Sequence, residues 1–226
     1  MMTFPTSVRA FDSAKSLCCA VEGLLRTELE RPSSTPTLLL LSGGNTPLPV
    51  YRNIAATPSP VAENVHLGYT DERYVPADSA ESNYGNSRGM IEALGLPFER
   101  VHRVHTDFPI EDAARRYHES LGEFLDSGGA ISLGILGIGP DGHTCSLFSQ
   151  ADLDRGAGRY ASATYRTPGP NRVTVTPGLL KRVDRIILLA AGEEKAAVLA
   201  QLIRDPASVT AGKAVMECRH VEVWRA

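Results

Sequence analysis

Little in this 226-residue chain is extreme, and each thing it lacks removes a class of function. The formal net charge is only -3, too weak for a general attraction to nucleic acid or an anionic membrane. The tyrosines and the single tryptophan are not interleaved with basic patches, so no nucleic-acid partner is expected. No apolar run approaches the roughly 20 residues that cross a bilayer. The chain opens without a charged segment leading into an apolar one, so a soluble, cytoplasmic protein with no membrane partner is expected. Four cysteines (Cys18, Cys19, Cys145, Cys218) form no C-x-x-C pair, which makes reduced thiols the default. His102 and His105 make an H-x-x-H without a third ligand at a plausible spacing, and no metal is expected. There is no internal repeat and no low-complexity tract.

What is present is an alternation. Apolar residues from Val8 to Leu29 recur at three- and four-residue intervals, predicting a helix with one buried face. Thr37–Leu41 is a short continuous apolar run, typical of a parallel strand covered on both sides. Further strands are predicted at Val65–Tyr69, Val101–Val104, Ile131–Gly137, Arg172–Thr176, Arg185–Ala190 and His220–Trp224. Helices are predicted at Asn86–Leu94, Ile110–Leu125 and Glu193–Ile203. This order predicts an α/β fold with a mostly parallel sheet and helices on both faces. Residues 1–226 are expected to make a single α/β domain, with 151–171, rich in Gly, Pro and Arg, as a small mobile segment.

In such sheets ligands bind beyond the carboxyl ends of the strands, so the loops after strands carry the functional reading. In "SGGNTP", Gly43 and Gly44 allow backbone N–H groups to approach an anion, Ser42 and Thr46 add hydroxyls, and Asn45 lies between. Pro47 suits a first helical turn. The lysine of a nucleotide P-loop is missing, and the same residues also serve as a plain glycine turn. "TDERYVP" sets Asp71, Glu72 and Arg73 in a turn after the next strand, where Arg73 suits an anion in fork geometry. An exposed charged turn is the alternative.

The third loop, "GILGIGPDGHTCSLF", contains a literal G-x-G-x-x-G at Gly137, Gly139 and Gly142. A dinucleotide's pyrophosphate seated there would meet the charge of Asp141, so a nicotinamide cofactor is disfavoured and no cofactor is expected. His143, with a carboxylate two residues earlier, instead has the makings of a base with an orienting partner. Cys145 reads as a small buried hydrophobe rather than a nucleophile. Arg172 and Lys195 remain as further cations, each equally readable as a solvent-facing charge.

Taken in order, "SGGNTP", "DERYVPADSAESNYG", "GIGPDGHTCSLF", "RVTVT" and "GEEK" resemble the 6-phosphogluconolactonase family, over about Leu38 to Lys195. The resemblance implies a Rossmann-like three-layer α/β/α fold, like that of sugar-phosphate isomerases and deaminases. It also implies hydrolysis of 6-phospho-D-glucono-1,5-lactone to 6-phospho-D-gluconate in the pentose phosphate pathway. On that reading His143 is the general base, with Asp141 and Arg73 as catalytic partners. Ser42, Gly43, Gly44, Asn45, Thr46, Asp71, Arg73, Arg172 and Lys195 hold the phosphosugar lactone. A monomer or weak homo-oligomer is expected. Related glucosamine-6-phosphate deaminases carry "DEY" and "DGHIAFNEP" where this chain has Asp71-Glu72-Arg73 and "DGHTCSLFS". These differences count against deamination, which stands as an alternative beside a non-catalytic phosphosugar-binding module.

Overall fold

The computed structural model describes residues 4–5 and 7–226, and these carry ten strands in two sheets. The strands are β1 (Ser7–Ala10), β2 (Thr37–Leu41), β3 (Val65–Tyr69), β4 (Asp71–Arg73), β5 (Val101–His102), β6 (Ala130–Gly137), β7 (Ala161–Thr164), β8 (Arg172–Val175), β9 (Val183–Ala190) and β10 (Val221–Arg225). Seven form one sheet in the order β1-β10-β9-β6-β2-β3-β5, with every neighbouring pair parallel. The other three form a small antiparallel sheet in the order β4-β8-β7. The helices are α1 (Ala14–Glu30), α2 (Pro47–Ala56), α3 (Asn83–Ala93), α4 (Ile110–Asp126), α5 (Gln150–Arg155), α6 (Pro177–Leu180), α7 (Ala196–Arg204) and α8 (Thr210–Val215).

The unbroken apolar run of β2 has a simple cause. Side chains alternate across a strand, and both faces of this one are covered. Leu39 and Leu41 pack with Leu17, Val21 and Leu25 of α1 and with Val50 and Ile54 of α2. Leu38 and Leu40 pack on the other side with Ala113, Tyr117 and Leu121 of α4 and Leu202 of α7. The large sheet is thus the middle of three layers.

The structure departs from the sequence reading at several elements. The helix expected from Val8 begins at Ala14, where Ser13 caps it through the backbone N–H of Ser16. Residues 7–10 are instead an edge strand paired with β10. All four of their side chains are exposed, so the strand shows no alternation. Asp71–Arg73, expected as a turn, is β4, and the expected strand at Arg172–Thr176 becomes its antiparallel partner β8 rather than a member of the large sheet. Three residues are too few to display a period; only pairing reveals such a strand. The stretch 151–171, for which no helix or strand was expected, includes most of α5 and all of β7, whose four residues are buried. Glu193–Lys195 forms a 3₁₀ turn ahead of α7.

The chain passes from β2 to β3 on one side, while β6 lies on the other. A crevice therefore opens beyond the carboxyl ends of β2 and β6, where such sheets place their ligands. Among the described residues no helix is long and apolar enough to cross a membrane.

Candidate active site

In that crevice lies a cavity of about 180 Å³, lined by Ser42, Gly43 and Gly44 after β2, Asp71 and Arg73 of β4, Gly137 at the end of β6 with Gly139 and His143 beyond it, and Lys195 after β9. A larger cleft of about 540 Å³ opens at the opposite end of the sheet, beside Ala130 and Val183, lined by Lys181, Arg182 and Arg219 without a histidine. Convergent polar groups, rather than size, single out the smaller one.

The glycines of the third loop serve the histidine. Nδ1 of His143 bonds Oδ1 of Asp141, which leaves Nε2 as the nitrogen with a free lone pair when the ring is neutral. The loop closes on itself: the Gly139 N–H donates to the His143 carbonyl at 2.9 Å, and the Gly142 N–H to the Gly139 carbonyl at 2.9 Å. A Cβ on Gly139 would sit 2.2 Å from His143 Nδ1 and 2.6 Å from Asp141 Oδ1, so only glycine lets the pair lie against the backbone. Gly142 has φ +83 and would put a Cβ 2.7 Å from Val209. The Phe148 ring packs 4.5 Å from the His143 ring, centroid to centroid. Partial burial pushes the Asp141 carboxyl up, but the hydrogen bond and charge of His143 outweigh it and hold it below its ordinary value.

The first loop offers glycine backbone and a free hydroxyl to the cavity. Gly44 takes φ +104, and a Cβ on Gly43 would fall 1.9 Å from Asn83 Oδ1. The Ser42 hydroxyl is buried without a hydrogen-bond partner among the described residues, while its carbonyl accepts from Tyr51 at 2.7 Å. An unpartnered buried hydroxyl costs free energy, and a bound anion removes that cost. Thr46 stands at the N-cap of α2 without capping it through its side chain.

Asp71 and Glu72 divide their work according to the alternation of β4. Asp71 faces the cavity and accepts from the Ser146 hydroxyl at 2.6 Å and from Asn83 Nδ2 at 3.3 Å. Glu72 points away and accepts from the backbone N–H groups of Arg73, Asn83 and Tyr84 and from the Ser82 hydroxyl, tying β4 to the start of α3. Arg73 points back to the cavity; its Nη1 donates to the Glu81 carbonyl at 2.8 Å, and its buried Nε has no partner among the described residues. Directly opposite it across the ladder is Arg172. Arg172 is only 9% exposed, yet among the described residues no carboxylate forms an ion pair with it, with Arg73 or with Lys195. Burial first, then the neighbouring Arg73 charge, push its guanidinium down. Two facing arginines without an ion-paired carboxylate have the chemistry to take an anion.

Of the residues predicted from sequence, Ser42, Gly43, Gly44, Asp71, Arg73, His143 and Lys195 line the cavity together. Asp141 stands behind His143, and Arg172 one strand behind Arg73. Asn45 and Thr46 lie outside the lining. Cys145, expected as a buried hydrophobe, is half-buried and lines the cavity at φ 53; burial raises its thiol well above the ordinary value. Sequence reasoning missed Asn83, which braces the first two loops, and Ser146, which joins the second to the third. Neither has a local signal, because each acts only across the fold. Among the described residues no three His, Cys, Asp or Glu side chains are placed to hold a metal ion.

Comparison with known proteins gives the class. The family model described as glucosamine-6-phosphate isomerases/6-phosphogluconolactonase matches residues 11–223, and the chain belongs to that family. It is 34% identical over 199 residues to the 6-phosphogluconolactonase of Thermotoga maritima, covering 84% of this chain and 87% of that one. It is 37% identical over 174 residues to the human 6-phosphogluconolactonase, covering 73% and 67%. A crystal structure of the Thermotoga maritima 6-phosphogluconolactonase superposes with a TM-score of 0.78 at 30% identity, covering 97% of this chain and 98% of that one.

Proposed function

We infer that this protein is a 6-phosphogluconolactonase, opening 6-phospho-D-glucono-1,5-lactone to 6-phospho-D-gluconate with water. The observation that carries this reading is the His143–Asp141 pair facing a cavity that also holds unpaired cations and an unpartnered serine hydroxyl. In the reaction, Nε2 of neutral His143 takes a proton from water as its oxygen attacks the lactone carbonyl carbon. Asp141 holds Nδ1–H and offsets the positive charge that forms on the ring. The carbonyl π pair moves onto oxygen, giving a tetrahedral oxyanion. As the carbonyl re-forms, the bond to the ring oxygen breaks, and protonated His143 returns its proton to that oxygen. Arg73, Arg172 and Lys195 share the two anionic groups, the phosphate and the developing oxyanion, with the backbone of Gly43 and Gly44.

General base help is worth about 10²–10⁴ and an oxyanion donor about 10²–10³ in rate. A lactone is an activated ester, so terms of this size suffice. Phe148 lies on the His143 ring where the related deaminases carry the segment that supplies their glutamate, and Asp141 is the carboxylate bonded to His143 among the described residues. That favours hydrolysis over deamination. The protein is expected to act in the cytoplasm, as a monomer or weak homo-oligomer, on a free phosphosugar.

The deciding experiment is an assay on freshly generated lactone, corrected for its spontaneous opening. Acceleration with no ammonia released from glucosamine 6-phosphate supports the reading. Binding of 6-phosphogluconate without acceleration would leave a phosphosugar-binding module instead.

A further inference from the structure

The small antiparallel sheet presents one polar face to the site, and that face continues beyond the cavity. Residues opposite one another in an antiparallel pair share a side of the sheet, and every second residue returns to it. Asp71, Thr174 and Ser162 therefore make one row, and Arg73, Arg172 and Thr164 the next. Thr174 confirms the direction, since its hydroxyl accepts from the Ser146 N–H of the histidine loop at 3.0 Å. Ser162 and Thr164 are each 1% exposed, and their buried hydroxyls have no partner among the described residues.

Two residues past Thr164, in the loop that leaves β7, stands Arg166. The hydroxyl of its neighbour Tyr165 donates to Glu111 of α4 at 2.6 Å. The backbone of Arg166 is pinned across the hairpin by Asn171 Oδ1 at 3.1 Å. Its guanidinium lies 4.4 Å from the centroid of the Phe148 ring, the same ring that packs on His143. The aromatic face holds the cation without neutralising it. Its positive charge is felt at Arg172, and no carboxylate among the described residues pairs with it.

We propose that Arg166 is a third guanidinium of this face, gripping the substrate's phosphate alongside Arg73 and Arg172 and so setting the preference for a phosphorylated lactone. The assignment rests on the lactonase reading above. Like charges gathered on one face repel, and a dianion relieves all three at once. The preference of the site for a phosphorylated ligand then follows from a loop residue outside the cavity lining.

The test is calorimetric binding of 6-phosphogluconate and of gluconate to the wild type, Arg166→Ala and Arg166→Lys, together with steady-state kinetics. Arg166→Ala is expected to weaken 6-phosphogluconate about fivefold to tenfold and to raise KM for the lactone by a similar factor. Arg166→Lys should recover part of the loss, and the gap should narrow as salt is raised. Equal affinity of Arg166→Ala and wild type for 6-phosphogluconate overturns the proposal. So does an equal loss for gluconate, or a fall confined to kcat. If the wild type binds 6-phosphogluconate without opening the lactone, the reaction assignment fails while the Arg166 measurement still stands.

Discussion

Among the histidine pairs of the described residues, His143–Asp141 and His102–His66 set the same ring in contrasting surroundings. His143 lies at the carboxyl ends of the strands, one nitrogen on Asp141, the other side of the site lined by cations and glycine backbone. His102 lies at the β5 edge. Its Nε2 is 3.2 Å from His66 Nδ1, its Nδ1 is 2.9 Å from the Ser120 hydroxyl, and the Phe124 ring packs 5.1 Å away. Burial, then the neighbouring imidazole, push His102 down to about 4. His66 is lowered too, by burial and by Arg100. His143 is bonded to a carboxylate in a loop, whereas His102 is bonded to a second imidazole in a more buried place, and burial beside another imidazole disfavours the charged form of its ring.

The sharpest way to break this contrast is to remove each ring in turn. His143→Asn should cut turnover of the lactone by about 10²–10⁴ with the melting temperature little changed; near wild-type turnover would remove His143 from the base position. His102→Gln should leave turnover alone and instead change the dependence of stability on pH. The unfolded chain protonates at the ordinary imidazole value of 6.5, whereas folded His102 does so only near 4. Stability is therefore full above the ordinary value and drains as pH falls from 6.5 toward 4, by up to about 3 kcal/mol. Denaturant titrations across that window should show a shallower loss in His102→Gln than in the wild type, and parallel curves would refute the assignment.

A smaller effect tests what the carboxylate contributes. Asp141→Asn keeps the shape of the loop but removes the charge that offsets a protonated His143, and kcat should fall about 10- to 100-fold with less change in KM. Asp141 is held below its ordinary value in the folded protein, so any stability it contributes is present above that value and is lost as pH falls below it. A pH profile of kcat that is identical in the variant would separate Asp141 from the ring.

Much of this is legible in the amino-acid sequence. The parallel sheet followed from continuous apolar runs such as Thr37–Leu41 alternating with helical periods, because strands covered on both sides leave no polar positions. The loops after β2 and β6 followed from glycines next to hydroxyls or a histidine, a pattern whose chemistry is local. Less legible were the elements whose partners are distant. β1 is exposed at all four positions and β4 is only three residues long, so neither has a period. Asn83 and Ser146 are ordinary polar residues until Gly43 and Asp71 are brought against them.

The chain on its own thus determined the layers and the identity of the catalytic candidates, since burial pattern and backbone freedom are written in neighbouring residues. Only the tertiary structure decided which cations lie together. Arg73 and Arg172 are 99 positions apart, and pairing β4 with β8 sets them face to face. Their closeness comes from the hydrogen-bonding register of two strands, and register is a property of the folded pair rather than of either segment alone.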